Sequence, residues 1–330
     1  MDSLRGLPPG HAGQPALDPV LLYRLMAKSR ALEERLVKMT KSADGYFWIG
    51  GPGEEAFNVP LGLLIKKGRG PAFDFLHLHY RSSAILTAMG MPMIDAIRQM
   101  ASRATDPFSG GRNFVGHFAV RDWNVVPVTS PIETQYAIAP GTALAQLRHG
   151  GDAITIVNGG DAGTAEGDFA TCLNWVSRPG RELPCLVIVT NNHWGISTAF
   201  DEVHGDRLIA RRAGGFGIRW DTVDGNDAFA ASAKLAEVFD YVRRTRKPFC
   251  LEAYVSRLHG HSSSSGGARV EEPDCLALLE ARLIRDGRLT AALATEIREA
   301  YAAEALAALE KVRGEPIPDP RTIHDHVYAG

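Results

Sequence analysis

Four short runs of apolar, β-branched residues separated by helical segments dominate the second half of the chain, and they leave few folds open. Ala153-Ile154-Thr155-Ile156-Val157 and Cys185-Leu186-Val187-Ile188-Val189 lack the apolar/polar alternation of a half-exposed strand, and Ile218 to Val223 and Phe249 to Val255 supply two more strands. They suit strands buried on both faces. Helical segments at Glu166 to Val176 and Ala228 to Arg243 stand between them, and an Ala-rich one, Gln135 to Leu147, precedes the first. Strands alternating with helices require parallel crossovers, so the expected fold is α/β: a doubly wound, mostly parallel sheet flanked by helices.

Upstream, Asp18 supplies a capping side chain and Pro19 a preset φ, which starts a helix running to about Lys41. A second helix is expected from near Glu54, with Pro60 in its first turn or at a kink. A third sets Ile94, Ile97 and Met100 on one face. Residues 104–131, rich in Gly, Pro, Asn and aromatics, are long for a connection and predict an ordered functional loop. Helices carrying Leu293, Ile297, Tyr301 and Leu309 follow the sheet. The expected organisation is an extended leader over 1–17, one α/β domain over 18–275, and C-terminal helices and tail for subunit contact over 276–330.

Charge excludes some partners. Lys plus Arg total 36 against 38 for Asp plus Glu, a net charge of -2, so nothing marks a nucleic-acid or anionic-membrane surface. The amino terminus has no apolar core of signal-peptide length, and nowhere do about 18 apolar residues run together as a membrane span needs. The four cysteines, Cys172, Cys185, Cys250 and Cys275, form no CxxC pair, which favours a reducing, cytoplasmic location.

Chemistry concentrates where the first buried strand meets a helix, at Gly159-Gly160-Asp161-Ala162-Gly163-Thr164-Ala165-Glu166-Gly167-Asp168. Ligands of open α/β sheets bind outside the carboxyl ends of strands, and backbone N–H groups at a helix start attract phosphate. A carboxylate such as Asp161 beside a phosphate cradle makes sense if a divalent cation such as Mg²⁺ bridges the two. The next strand ends in Thr190-Asn191-Asn192-His193-Trp194-Gly195, offering amide and carbonyl oxygens at the same edge. Asn192 lies 31 residues after Asp161, the length of one helix plus one strand. Taken singly, the glycine run is a tight turn and the Asn pair a self-bonding one.

These segments resemble the thiamine diphosphate-dependent E1 alpha subunits of 2-oxo acid dehydrogenase complexes. The family motif opens Gly-Asp-Gly or Gly-Glu-Gly and closes about thirty residues later with Asn-Asn. His79-Tyr80-Arg81 is similar to its Tyr-Arg pair, Ser109 to Arg112 with His117 to its Gly-Arg loop and following His, and Thr129 to Gln135 to its Ser-Ser-Pro-Leu/Ile-x-Thr-Gln segment. Val223 to Asp227 resembles the Val-Asp-Gly-Asn-Asp turn and Arg257 to Ser262 the Arg-x-His-Gly-His-Ser loop. The likeness runs from about residue 20 to the end.

The resemblance implies that Asp161, the Asn192 side chain and the Trp194 carbonyl ligate Mg²⁺. It implies that Tyr80, Arg81, His261 and the backbone of Gly160, Ala162 and Gly163 hold the diphosphate, and that Ser130 and Ile132 contact the aminopyrimidine. Arg81 suits phosphate because a guanidinium fork matches its oxygens. His261 is the expected catalytic histidine, bonding the diphosphate or assisting proton movement. His259 is expected to be structural, and His117 to line the substrate entrance. Also implied are oxidative decarboxylation of a 2-oxo acid with acyl transfer to the lipoyl domain of an E2 partner, and an α₂β₂ heterotetramer with an E1 beta subunit. Branched-chain substrates such as 2-oxoisovalerate are favoured, with pyruvate or acetoin, or a non-catalytic regulatory subunit, as alternatives. The sequence departs from the family at Ala162, where a Gly is usual, at Thr190, and at Ser265-Gly266-Gly267 after a serine run that kinases modify in some members. If residue 162 needs a positive φ, Ala costs on the order of 1 kcal/mol there.

Overall fold

The computed structural model describes residues 17–265, 269–325 and 327. The leader before Leu17, Gly266 and Gly267 of the serine loop, and His326 and Tyr328 of the tail lie outside them. The first helix, α1 (Pro19–Met39), starts as the sequence requires: the Asp18 side chain accepts a hydrogen bond from the Val20 N–H at 3.0 Å, with Pro19 at the first helical position. Helix α2 (Glu55–Leu64) carries Pro60 beyond its first turn and is buried along most of its length. Strand β1 (Phe75–His77), α3 (Ser83–Ala88), α4 (Met93–Met100) and α5 (Thr134–His149) follow.

The expected strand at 153–157 is displaced toward the carboxyl end: β2 spans Thr155–Gly160, so Gly159 and Gly160 belong to the sheet rather than to the turn. After α6 (Gly167–Val176) come β3 (Cys185–Asn191), a small hairpin of β4 (Trp194–Gly195) and β5 (Thr198–Ala199), and the short helices α7 (Phe200–Val203) and α8 (Arg211–Gly214). Strand β6 (Arg219–Asp224), α9 (Ala228–Thr245), β7 (Phe249–Tyr254), α10 (Cys275–Arg285) and α11 (Ala291–Arg313) complete the order. Strands pair in parallel as β1-β2-β3-β7-β6.

Period-two alternation explains the two layers. In β3, Leu186 and Ile188 join a core with Phe57 and Leu61 of α2 and Leu235, Val238 and Phe239 of α9. Cys185, Val187 and Val189 face Tyr136 of α5 and Phe169 and Leu173 of α6. Helices therefore cover both faces of the apolar central strands. Strand β6 is not buried on both faces as expected, because Arg219, Asp221 and Asp224 break its apolar run and it lies at the sheet edge, mostly exposed or half-buried. The C-terminal helices fold back onto this body: Leu279, Leu283, Ala294 and Ile297 pack with Leu22, Tyr23 and Met26 of α1. Ile188 is wholly buried in the central strand. Ile188→Ala is expected to cost about 2–5 kcal/mol, read as a lowered urea midpoint at unchanged m-value.

Candidate active site

Most of the anticipated charged and polar site residues come from segments that follow the carboxyl ends of parallel strands, whereas Gly160 ends β2 itself, Trp194 lies in β4, and Ser130 and Ile132 precede α5. The segment after β1 supplies His79, Tyr80 and Arg81, those after β2 and β3 supply Asp161 and Asn192, and the one after β7 supplies His261. The register aligns Gly160 with Thr190 and Asn191 with Tyr254, so these ends form one edge. The chain steps one way across the sheet from β1 through β3 to β6 and turns back only from β6 to β7, which leaves β7 between β3 and β6.

Asp161 is 2% exposed, and its Oδ2 has no hydrogen-bond partner. Burial pushes its carboxyl up to about 6, while the N–H groups of Asp161 itself, Asn192 and Ala162 and the charge of Arg81 pull it back down. An unpartnered buried carboxylate oxygen is costly unless a cation meets it. The adjacent Asn192 is also buried, and its Oδ1 accepts the Trp194 N–H at 3.1 Å, which folds the chain so that Trp194 follows directly. One carboxylate, one amide and one main-chain carbonyl are hard oxygen donors of the kind Mg²⁺ takes alongside substrate phosphates. They fit such an ion, although among the described residues no cluster of three His, Cys, Asp or Glu side chains does.

Arg81 is 4% exposed. Its Nη1 donates to the Gly50 carbonyl, its Nη2 lies 3.0 Å from His261 Nδ1, and its guanidinium stands 5.3 Å from the Tyr80 ring centroid. Since arginine can only donate, His261 Nδ1 accepts and Nε2 carries the proton. Burial, then Arg81 and Arg257, push His261 down to about 4, so the imidazole is neutral near pH 7. His259 packs edge-on against Trp48 at 5.8 Å, in keeping with a structural part. On the long loop, His117 Nε2 bonds Ser130 Oγ at 2.8 Å; Ser130 is exposed and Ile132 50% exposed at the same edge of the molecule.

Ala162 does not have a positive φ; it begins a 3₁₀ turn over Ala162–Ala165, so the expected strain is absent. Strain sits instead at three non-glycine residues bordering the site, Glu133, His193 and Ile196, with φ of 63, 63 and 57°. Thr190 is buried and its hydroxyl bonds the Gly159 carbonyl at 3.3 Å.

Several supports carry no motif in the sequence. His204 Nε2 lies 3.0 Å from the Asp161 carbonyl, and Arg212 donates to its Nδ1 at 2.9 Å, which makes Nε2 the protonated nitrogen. Asn191 turns away from Asn192, donating to Glu252 at 2.7 Å, while Glu252 also accepts the Ala210 N–H at 2.9 Å. Glu133 accepts the Gly160 N–H at 3.0 Å and the Gln135 amide at 3.1 Å. Glu54 lies 4.0 Å from Arg81 Nε, and its carboxyl accepts a hydrogen bond from the Asn58 amide at 3.3 Å. Only long-range contacts reveal these partners; His204 and Glu252 sit 43 and 91 residues beyond Asp161.

The Glu54 separation suggests an ion pair, yet burial outweighs the Arg81 charge and raises the carboxyl to about 8, so at neutral pH the acid is mostly protonated. A group raised on folding stabilises fully below its unfolded value and loses that contribution as pH climbs through the folded one. Glu54 therefore destabilises the chain progressively from about pH 4.5 to 8. Glu54→Gln is expected to flatten the fall in urea midpoint between pH 5 and 8.5; an unchanged slope would contradict the assignment.

The fold and this edge define an α/β protein whose parallel strands bring a buried guanidinium and hard oxygen donors to one side of the sheet. Residues 23–321 match the model of the dehydrogenase E1 component family, and the chain belongs to that family. It is 29% identical over 329 residues to the 2-oxoisovalerate dehydrogenase subunit alpha of Bacillus subtilis, covering 97% of each chain. It is 30% identical over 262 residues to the 3-methyl-2-oxobutanoate dehydrogenase subunit alpha of Mycobacterium tuberculosis, covering 78% of this chain and 67% of the relative. With the mitochondrial 2-oxoisovalerate dehydrogenase subunit alpha of Mus musculus it shares 27% identity over 272 residues, 80% of this chain and 60% of the mouse protein.

Proposed function

We propose that the chain is the alpha subunit of a branched-chain 2-oxo acid dehydrogenase E1, catalysing thiamine diphosphate-dependent oxidative decarboxylation and acyl transfer to a lipoyl-E2. The observation that carries this reading is the convergence on one sheet edge of an unpartnered buried carboxylate, Asp161, with Asn192 and the Arg81 guanidinium. The family membership and the names of the bacterial and mouse relatives support it.

In this reading Asp161, Asn192 Oδ1 and the Trp194 carbonyl hold Mg²⁺. Tyr80, Arg81, His261 and the backbone around Gly160, Ala162 and Gly163 hold the diphosphate. Ser130 and Ile132 face the aminopyrimidine from their exposed positions. When bound, the thiazolium ring supplies the electron sink for decarboxylation. The chain's own part is positional. Arg81 neutralises anionic charge from a dry, fixed geometry. His261, neutral and protonated on Nε2, presents a donor to an incoming anion. Hydrogen bonds from His204 and the Thr164 hydroxyl to the Asp161 carbonyl, at 3.0 and 2.7 Å, fix the backbone that carries the metal-binding carboxylate. The proposal includes a beta subunit completing an α₂β₂ heterotetramer, the thiamine diphosphate-binding fold over 18–275 with C-terminal helices at 276–330 contributing to subunit contact, and a cytoplasmic location. Among the described residues no helix is long and apolar enough to cross a membrane.

The test is a turnover panel on the reconstituted alpha-beta assembly, read as CO₂ release from pyruvate, 2-oxoisovalerate and 2-oxoisocaproate and as acetaldehyde release from acetoin, which has no carboxylate to lose. Highest kcat/KM on 2-oxoisovalerate or 2-oxoisocaproate is expected. Turnover of none of the four would overturn the activity, and preference for pyruvate or acetoin would overturn the substrate class.

A further inference from the structure

Glu133 is a buried acid at the centre of the candidate site to which the resemblance gives no role. It caps α5 in a left-handed conformation, φ 63°, and is 2% exposed. Its carboxyl enters the strand-to-helix turn that carries Asp161, with Oε1 accepting the Gly160 N–H at 3.0 Å. The turn is shaped around it. A Cβ on Gly163 would lie 2.0 Å from Glu133 Oε1 and 2.1 Å from its Cγ, and a Cβ on Gly159 would lie 2.0 Å from Oε2. Contacts that short do not occur between non-bonded atoms, so Glu133 and side chains at 159 and 163 exclude one another. The two glycines are thus explained by occupancy rather than by φ, since neither has a positive one.

We infer that Glu133 is a positioning residue for the cofactor turn, an internal strut whose carboxyl fills the space beneath Gly159 and Gly163, fixes the Gly160 amide, and so sets where Asp161 is presented. The inference rests on the reading that this turn holds Mg²⁺ and a diphosphate. Asp161 directly follows the Gly160 amide that Glu133 holds. Rotation about that peptide swings the carboxylate, and among the described residues the other side-chain hydrogen bond from the start of α5 to this segment is Gln135 Nε2 to the Asn158 carbonyl, 3.1 Å. Removing the strut leaves a polar void under a glycine-rich segment, which has the freedom to collapse into it. A glutamine retains an oxygen able to accept from Gly160 and nearly the same volume.

Thiamine diphosphate binding with Mg²⁺ by calorimetry on the chain copurified with its beta subunit, together with melting of the ligand-free assembly, tests the strut. Glu133→Ala is expected to weaken binding about tenfold, equivalent to about 1.4 kcal/mol, and Glu133→Gln to restore it to within about threefold. Gly163→Ala, which collides with the carboxyl, is expected to weaken binding in the native background and to add nothing further in the Glu133→Ala background, the non-additivity that mutual exclusion requires. Native-like binding by Glu133→Ala, no rescue by Glu133→Gln, or additive losses in the double variant would overturn the inference. Absence of binding by the native assembly would overturn the cofactor reading instead.

Discussion

Asp161→Ala is expected to abolish measurable Mg²⁺-dependent thiamine diphosphate binding, an affinity loss on the order of 100-fold or more, since even residues that only orient metal ligands are worth 10–100-fold. The reason lies in the donor set. Asn192 and the Trp194 carbonyl are neutral, so Asp161 brings the proposed site's only formal negative charge, and its Oδ2 has no competing partner to give up. The same change relieves the chain of a carboxylate that burial already disfavours. The ligand-free variant should therefore melt at or above the native temperature while failing to bind. Calorimetry and a melting curve on one preparation check both halves; retained binding would remove Asp161 from the metal site.

Arg81→Ala is expected to weaken binding on the order of 100-fold, because charged hydrogen bonds contribute about 1.5–3 kcal/mol each and the guanidinium is placed to make more than one. Arg81→Lys should fall between, about tenfold, since an ammonium keeps the charge but not the planar fork. The Glu54 neighbour gives this series a second readout. With the cation gone, the acid has one fewer influence pulling it down and remains neutral at pH 7, so no buried charge is stranded. A loss of binding that tracks a collapse of the melting temperature would show Arg81 to be a folding residue rather than a ligand-binding one.

The centre of the sheet was legible because its strands are apolar on both faces and the helices are not; Cys185 to Val189 and Phe249 to Val255 announce burial without help from context, whereas β6, with Arg219 and Asp221, does not. Strand β1 was not, since Phe75–His77 is three residues long and bridges to Val125 across a loop. The Asp161 and Asn192 pair was legible because strand-end oxygen donors recur at a spacing set by one helix and one strand. The acids behind them were hidden for the opposite reason. Glu133, Glu54 and Glu252 gain their meaning from burial, and a glutamate in a sequence carries no sign that water will be excluded from it. Ala162 shows the reverse error: a motif position suggested strain, and backbone geometry removed it.

The left-handed residues on either side of Trp194 set a limit on engineering this chain for durability. His193 and Ile196 hold φ of 63 and 57° in the hairpin that presents the Trp194 carbonyl. For a β-branched side chain such as Ile196 this is a departure costing on the order of 1–3 kcal/mol. Glycine at 196 would recover part of that at the expense of a looser chain. A screen for heat-resistant variants will therefore be drawn to this hairpin, and its winners should be sorted by affinity for the proposed Mg²⁺ before they are kept.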